Sequence, residues 1–570
     1  MLLKDVADAS AEVAASPARN AKVALVAALL ERCEQAEAAT VAAYLSGTLP
    51  QRRVGVGWRG LTDLPDPSAQ ASLTIAETDA ALSLLATTTG VGSATARKAT
   101  LEHLLGRATA AEQDFLRGLL LGGLRQGALD GVMLAAIAMA AGVPQSSVRR
   151  AAMLAGFVGP VAQAALTGGE QALAALTLEV GRPARPMLAG SAPNVAAAFP
   201  GHATGAPAAT ATGIAASHPE AGLDTIGDLR IVERKVDGIR LQAHKRGADV
   251  RLFTRSLEEI TDRLPEVVEL VRTVRADTAI LDGETVALDA AGRPHPFQIT
   301  GARTASRHDP DVLRAATPLT TAFFDVLHLD GTDLLDEPLT TRLERLGAIL
   351  PSGAAIERLS TRSAQKAQAF FDAQIASGHE GILVKDPTST YAAGRRGAGW
   401  LKVKPRHTLD LVVLAVEWGS GRRRGMLSNI HLGARGTDGD FVMLGKTFKG
   451  MTDTMLTWQT ARFLELETHR EGHTVYVRPE VVAEIAFDGF QRSTRYPGGL
   501  TLRFARVLRY RDDKAARDAD TFAAVTRMWD DFRRSEGEAG PDEGEAGPDD
   551  GEAGPDDGEA GPDGGGGGRP

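Results

Sequence analysis

Through roughly the first 185 positions, alanine and leucine recur three and four residues apart with very few strand formers between them, the pattern of amphipathic helices. In "RATAAEQDFLRGLLLGGLRQG", Thr109 and Glu112 stand at capping-box spacing, the apolar stripe Phe115, Leu116, Leu119 and Leu120 follows, and Gly122-Gly123 ends the segment. A second helix is predicted to start at Ser146 or Ser147 in "VPQSSVRRAAMLAG". Between "RPARPMLAG" and Asp228 the chain is rich in Ala, Pro, Gly and Thr, which reads as a linker or surface loop.

From residue 229 the period shortens to two. "DLRIVERKV", "IRLQAHKRG", "ADVRLFTRS", "TAILDGETVALD" and "TTAFFDVLHLDG" read as strands, interrupted by helical segments such as "LEEITDRLPEVVELVRTV", so this part is α+β. After "WLKVKPRH", five further strands surround one helix, "TDTMLTWQTARFLELETHR", which suggests a small β-barrel of the OB-fold kind, a shape that often carries single strands or duplex ends. The expected division is an all-α region over 1–185, an α+β region over 186–407, an OB-fold region over 408–530 and a tail over 531–570.

A chain of 570 residues can bury several cores, which makes it multidomain. The single cysteine, Cys33, excludes an internal disulfide and a cysteine-rich zinc site and fits a reducing cytosol. The longest apolar run, "VMLAAIAMAAGV", falls short of a membrane span, and "MLLKDVADAS" lacks the layout of a secretory signal, so a soluble cytoplasmic protein with no membrane partner is expected. Net charge is -9, but twelve acids and Arg569 fall in 536–570, leaving 62 basic against 60 acidic residues before it. The body is therefore able to bind polyanions through basic patches. The tail repeats a seven-residue acidic unit, "EGEAGPD" twice and "DGEAGPD" twice, with no apolar residue larger than Ala or Pro. It is expected to be a disordered, self-repelling appendage whose charge suits a basic protein or the chain's own basic patches.

Alternation along "IVERKVDGIR" puts Ile231, Glu233, Lys235 and Asp237 on one strand face and Val232, Arg234 and Val236 on the other. Asp237-Gly238 is a hairpin signal. Three ionisable groups on one face form either a site or an exposed ladder of ion pairs. Glu284 interrupts an apolar strand, where an unpaired carboxylate is costly, so a ligand or an ion partner is expected. In "WLKVK" the same period gathers Lys402 and Lys404 on one face. Phe324 in "TAFFDVLHL" reads, on its own, as core.

In order and spacing, "ERKVDGIR", "FTRSLEEIT", "LDGETVAL", "FFDVLHLDG", "EGILVK", "WLKVK" and "LRFARVLRYRDDK" resemble the motif series of the covalent nucleotidyltransferases, specifically ATP-dependent DNA ligases. The helical stretch "RKATLEHLLGRATAAEQDFLRGLLLGGLRQG" looks like the DNA-binding domain of the larger archaeal, eukaryotic and some bacterial ligases, so the resemblance covers about residues 1 to 525. It implies a nucleotidyltransferase (ATP-grasp-like) middle domain in which Lys235 attacks the α-phosphorus of ATP and carries AMP. It implies further that Glu233 meets the adenine amino group, that Arg240 and Arg255 contact the nick strand, and that Phe324 stacks on adenine. Glu284 would serve the ribose and the metal environment and Glu380 the metal, Mg²⁺ or Mn²⁺. Lys385, Lys402 and Lys404 would grip the α-phosphate, and Arg503, Arg506 and Lys514 would orient pyrophosphate as the OB domain closes. The usual proline between Phe504 and Arg506 is Ala505 here, a change in backbone stiffness.

DNA contacts are expected from Arg97, Lys98, Arg107 and Arg125 in the helical region, with Arg422, Arg423 and Arg424 adding basic charge in a barrel loop. The implied partner is nicked double-stranded DNA, encircled by a monomer in the cytoplasm or nucleoid, and no recruiting protein is named by the sequence. Rival readings are an RNA ligase or capping-type guanylyltransferase, which share the lysine chemistry, and a non-catalytic DNA clamp that keeps the fold.

Overall fold

The computed structural model describes residues 1–535 except 53, 125–128, 200–227, 393–395 and 421–422. Arg125, Arg422 and the acidic repeats from 536 onward therefore lie outside the described residues.

Among the described residues the first part is helical: α1 to α9 span Leu3–Ala15, Arg19–Arg32, Ala38–Leu45, Ile75–Thr87, Ser93–Arg107, Ala110–Leu120, Leu129–Ala141, Gln145–Ala155 and Val158–Ala174. Their apolar stripes meet in one core that includes Leu3, Val26, Tyr44, Leu82, Leu116, Ile137 and Val161. The capping box at α6 forms as its spacing predicts, with Thr109 accepting from the Glu112 N–H and Glu112 accepting from the Thr109 N–H. The start of α8 differs from the serine-cap expectation. Pro144 precedes it and Gln145 opens it, so Ser147 lies inside the first turn and donates to Glu170 instead.

The middle part holds ten strands: β1 Leu188–Ser191, β2 Arg230–Lys235, β3 Ile239–Arg246, β4 Asp249–Thr254, β5 Thr278–Ala287, β6 Leu319–Leu329, β7 Thr332–Asp333, β8 Arg358–Thr361, β9 Gly381–Lys385 and β10 Arg396–Val403. They form two five-stranded sheets, ordered β1-β10-β9-β2-β8 and β4-β3-β5-β6-β7. Helices α10 (Pro265–Arg272), α11 (Phe297–Ala305), α12 (Pro310–Ala316), α13 (Leu339–Ile349) and α14 (Ala364–Ala376) pack around them. The helix predicted over 257–274 is shorter than its pattern because Pro265 can only sit in a first turn. β1 comes from "RPARPMLAG", at the edge of the stretch that reads as linker, and pairs parallel with β10.

Asp237-Gly238 does not make a hairpin. β2 and β3 belong to different sheets, and the turn carries the chain from one to the other. Gly238 is required there because a Cβ would overlap the Thr285 carbonyl oxygen of β5.

The C-terminal part also departs from expectation. Strands β11 His407–Trp418, β12 Leu427–Arg435, β13 Phe441–Thr447, β14 Glu467–Glu471, β15 Thr474–Val477, β16 Val482–Phe487, β17 Gly489–Arg492, β18 Leu500–Arg503 and β19 Arg506–Tyr510 outnumber the five predicted. Pairing runs β13-β12-β11-β15-β14, with β16 and β19 branching from β11, and β17-β18 stand as a separate ribbon, so no closed barrel forms among the described residues. The branch point is β11, whose first half pairs with β16 and whose second half pairs with β15. Helices α15 (Asp453–Glu465) and α16 (Phe522–Ser535) complete this part. α16 takes in residues 531–535 of the predicted tail because Trp529 and Phe532 pack edge-on against Phe490. No helix among the described residues is long and apolar enough to cross a membrane.

Candidate active site

Pairing register decides which side chains meet. Across the first sheet, Glu233 lies opposite Arg358 on β8 and Leu383 on β9, Ile231 opposite Lys385, and Lys235 opposite Gly381. Trp400 lies opposite Lys385 and Lys402 opposite Leu383. Cross-strand partners share a face, so Glu233, Lys235, Arg358, Lys385, Trp400 and Lys402 line one side. The other side, with Val232, Ile382, Val384 and Val403, is an apolar core. Gly381 brings the end of β9 against β10, since a Cβ there would overlap the Val403 carbonyl oxygen next to Lys404.

Lys235 ends β2, and its ammonium donates to Glu380, whose other oxygen pairs with Lys404. One carboxylate therefore joins two of the predicted lysines. Burial pulls the Lys235 pKa below the ordinary amine value, Arg255 adds to that, and Glu284 and Asp237 oppose it. Lys404 is lowered for the same first reason, helped by Lys235 and by Arg503 from the C-terminal part, against Asp488 and Asp237. Burial pushes the Glu284 carboxyl up to about 7, with Lys235 and Arg240 pulling down and Asp282 and Asp237 pushing up. Lys402 is half-buried on the same face.

Arg240 is held inward. It lies opposite Glu284 on β5 and donates through Nε and Nη2 to the buried Asp282 at 2.9 and 2.5 Å, through Nη1 to the Met187 carbonyl at 2.6 Å and through Nη2 to the Tyr391 hydroxyl at 3.2 Å. Tyr391 donates to Asp282 at 2.7 Å and accepts from the Met187 N–H at 3.0 Å. Burial works against the Arg240 charge, but Asp282 and Tyr391 more than offset it, so its pKa is raised. Phe324 is buried between cations: Arg240 is 5.3 Å and Lys385 4.8 Å from its ring centroid, and Trp400 meets it edge-on. The next residue, Asp325, anchors this strand through a fully buried bidentate pair with Arg342 of α13 at 2.7 and 3.0 Å.

Other predicted residues are dispersed. Arg503 is exposed at the end of β18, Arg506 pairs with Asp488 at 3.4 Å, and Lys514 pairs with Asp410 at 2.5 Å. In the helical part Arg97 donates to the carbonyls of Val54 and Leu85, Arg107 pairs with Glu77 at 3.0 Å, and Lys98 is exposed beside Glu102 at 3.6 Å. Arg423 donates to the Phe448 carbonyl at 2.7 Å, while Arg424 is exposed.

Sequence reasoning missed Asp282, Arg358, Tyr391 and Trp400 as members of the site. Asp282, two residues before Glu284 in a strand that is otherwise apolar, carried the same signal as Glu284. Nothing local distinguishes Arg358 or Tyr391, whose partners lie far along the chain.

The chain matches family models described as ATP dependent DNA ligase domain over residues 211–404, ATP dependent DNA ligase C terminal region over 423–514 and DNA ligase N terminus over 59–138. A probable DNA ligase of Beutenbergia cavernae is 57% identical over 534 residues, covering 93% of this chain and 99% of that protein. Another, from Nocardioides sp., is 53% identical over 531 residues, covering 92% and 98%. The solved structure Pmar-Lig_PreS3 has a similar fold, with a TM-score of 0.51 at 16% identity over 89% of this chain and 99% of that one. With a paired lysine pocket, all three ligase regions in order and relatives alike along nearly their whole length, the chain belongs to the ATP-dependent DNA ligases, enzymes that seal nicks in DNA.

Proposed function

We propose that Lys235 is the nucleophile of this ligase. The observation that carries the reading is the cluster at the end of β2, where Glu380 joins the Lys235 and Lys404 ammoniums and burial lowers both amines. A lysine attacks only as the free amine, and burial favours that form. Nζ forms a bond to the α-phosphorus of ATP as the bond to the β-phosphate oxygen breaks, pyrophosphate leaves, and the amine proton is lost. AMP then passes from Lys235 to the 5′ phosphate of the nick, and the 3′ hydroxyl displaces AMP to close the strand. Positioning and charge supply most of the rate in such transfers. In this reading Lys404 and Lys402 are the counter-charge for the α-phosphate, and Arg503, whose charge influences Lys404, acts on the pyrophosphate side.

Among the described residues no group of three His, Cys, Asp or Glu side chains stands ready to hold a metal. Glu284 and Glu380 fit a hard ion such as Mg²⁺ or Mn²⁺, which takes few protein ligands and completes its shell with water and phosphate oxygens. When bound, such an ion neutralises charge on those oxygens. DNA is the other partner, with Arg255, Arg424 and Lys98 as exposed cations and the three parts encircling the duplex as a monomer at the nucleoid. The proposed divisions fall at 185, 407 and 530, with the two middle sheets closing on the nucleotide in an ATP-grasp-like way.

Incubation with ATP labelled at the α-phosphate plus Mg²⁺ tests the reading. An acid-labile adduct is expected on the wild type, absent from Lys235→Ala and not formed from GTP or NAD⁺. Mass spectrometry finding AMP on another residue, or sealing by Lys235→Ala, overturns it.

A further inference from the structure

On the lined face of the first sheet, several buried polar atoms have no hydrogen-bond partner: both carboxylate oxygens of Glu233, Nε and Nη2 of Arg358, Nζ of Lys385 and Nε1 of Trp400. Lys385 has other compensation. Its ammonium is in charge contact with Glu233 Oε2 at 2.5 Å, off hydrogen-bond alignment, and lies 4.0 Å from the Trp400 ring centroid and 4.8 Å from that of Phe324. Arg358 has no such compensation: its closest ionic contact, Nε to Glu233 Oε1, is 3.6 Å, beyond hydrogen-bond reach. Buried donors and acceptors left unmade are costly and rare. Here one acceptor of Glu233, Oε1, and two donors of Arg358 stand on directly opposed residues of β2 and β8 with no closer compensation.

We propose that Arg358 is a specificity-determining residue for the nucleotide base: Glu233 accepts from the 6-amino group of adenine while Arg358 donates to N1, the ring nitrogen beside it that in guanine carries a proton and is itself a donor. The pattern suits adenine, which offers a donor next to an acceptor along its edge. Guanine held in the same place turns an acceptor oxygen toward the Glu233 carboxylate, and like against like in a buried site is the repulsive element that discrimination needs. Arg358 lies outside every motif that carries the ligase resemblance, and it touches base rather than phosphate, so its role is selection rather than group transfer. The proposal rests on the base occupying this face.

The test measures ATP dissociation constants directly, apart from adduct formation, so that failure of the Lys235 reading and failure of this one are distinguishable. Wild type is expected to bind 1-deaza-ATP about 10- to 100-fold more weakly than ATP, having lost the acceptor that Arg358 meets, while 7-deaza-ATP, which keeps it, binds about as ATP does. Arg358→Met should weaken ATP by about the same factor, lose sensitivity to that deaza position, and narrow the ATP-to-GTP preference by about tenfold or more, with Arg358→Lys partly restoring both. A variant that weakens ATP, GTP and both analogues alike shows a merely structural arginine and overturns the proposal. Should Arg358→Met not fold, the wild type alone decides: binding of 1-deaza-ATP within about twofold of ATP overturns it, because no lost hydrogen bond costs so little in a buried site.

Discussion

Arg240 shows how a residue with an obvious surface chemistry can be claimed by the interior. The sequence resemblance assigns it to the nick strand, but it makes four hydrogen bonds inward, to Asp282, Tyr391 and the Met187 carbonyl. Removing one partner of a buried pair leaves a charge that neither water nor protein compensates. Asp282→Ala is therefore expected to lower unfolding stability by about 3–5 kcal/mol in urea denaturation. Tyr391→Phe removes one hydroxyl bridge and should cost only about 1 kcal/mol, unless Arg240 swings outward. Equal losses in the two variants would show that Asp282 is not the counter-charge. Such a network is barely legible in sequence, because Asp282 is 42 residues from Arg240 and Tyr391 is 151 away. The charged members of the motifs stand out locally, whereas their buried partners do so only once the sheets are paired. Phe324 illustrates the opposite case: its composition says core, its motif says ligand, and the structure gives it both a buried position and two cations against its ring.

Among the elements, period-2 alternation was a sound guide to faces and a poor guide to pairing. Glu233, Lys235 and Lys402 do share a face, because alternation is a property of one strand, but whether Asp237-Gly238 closes a hairpin depends on which strands lie beside β2 and β3, and those are β8, β9, β4 and β5. The branching of the C-terminal strands is hidden for a similar reason, since the double use of β11 is written in its length and not in its turns. The region before β2 holds another long-range link. Gly181 donates to His244 Nδ1 at 2.9 Å, and Gln242 Oε1 accepts from Ala184 at 2.8 Å and faces His244 Nε2 at 2.9 Å, which fixes a neutral ring with its proton on Nε2. Burial, with His328 and Arg251 nearby, lowers the His244 pKa to about 3. The sign follows directly: the folded form resists a proton that the unfolded form takes up near 6.5, so stability is intact above that pH and falls as pH drops toward 3. The expected loss is about 1.4 kcal/mol per pH unit below 6.5. Thermal melts of the wild type at pH 7, 5.5 and 4.5 should fall more steeply than those of His244→Gln, and parallel curves would assign the acid sensitivity elsewhere.

At the scale of the whole molecule, the parts are linked by contacts of different character. The helical part meets the middle part through Met153, Leu154 and Leu178 packed with Leu327 and Leu335, and through the Arg150–Asp336 pair at 2.6 Å. The C-terminal part brings charge of both signs near the pocket: Arg503 and Arg506 work against the Lys404 and Arg406 charges, and Asp488 favours both. A charged surface of this kind is one that salt and competing polyanions can address. The twelve acids of 536–563 leave the chain from the end of α16, and Phe532 of that helix packs beside Gly489 and Phe490 of β17, whose strand partner β18 carries Arg503. α16, which precedes the acidic segment in the chain, thus packs beside the ribbon that carries Arg503, and tethering gives that segment an effective concentration that a free polyanion reaches only in the millimolar range. Deleting 536–570 changes the net charge from -9 to about +2 by the residue counts. Binding of nicked DNA by the shortened chain should tighten by about tenfold at 50 mM salt and converge with the full chain above about 0.5 M, where charges beyond a few ångströms no longer sense each other. The slope of log affinity against log salt should become steeper in the deletion, since phosphates no longer compete with tethered carboxylates. Unchanged affinity and slope would mean that the repeats are turned away from the DNA surface and leave them to some basic partner.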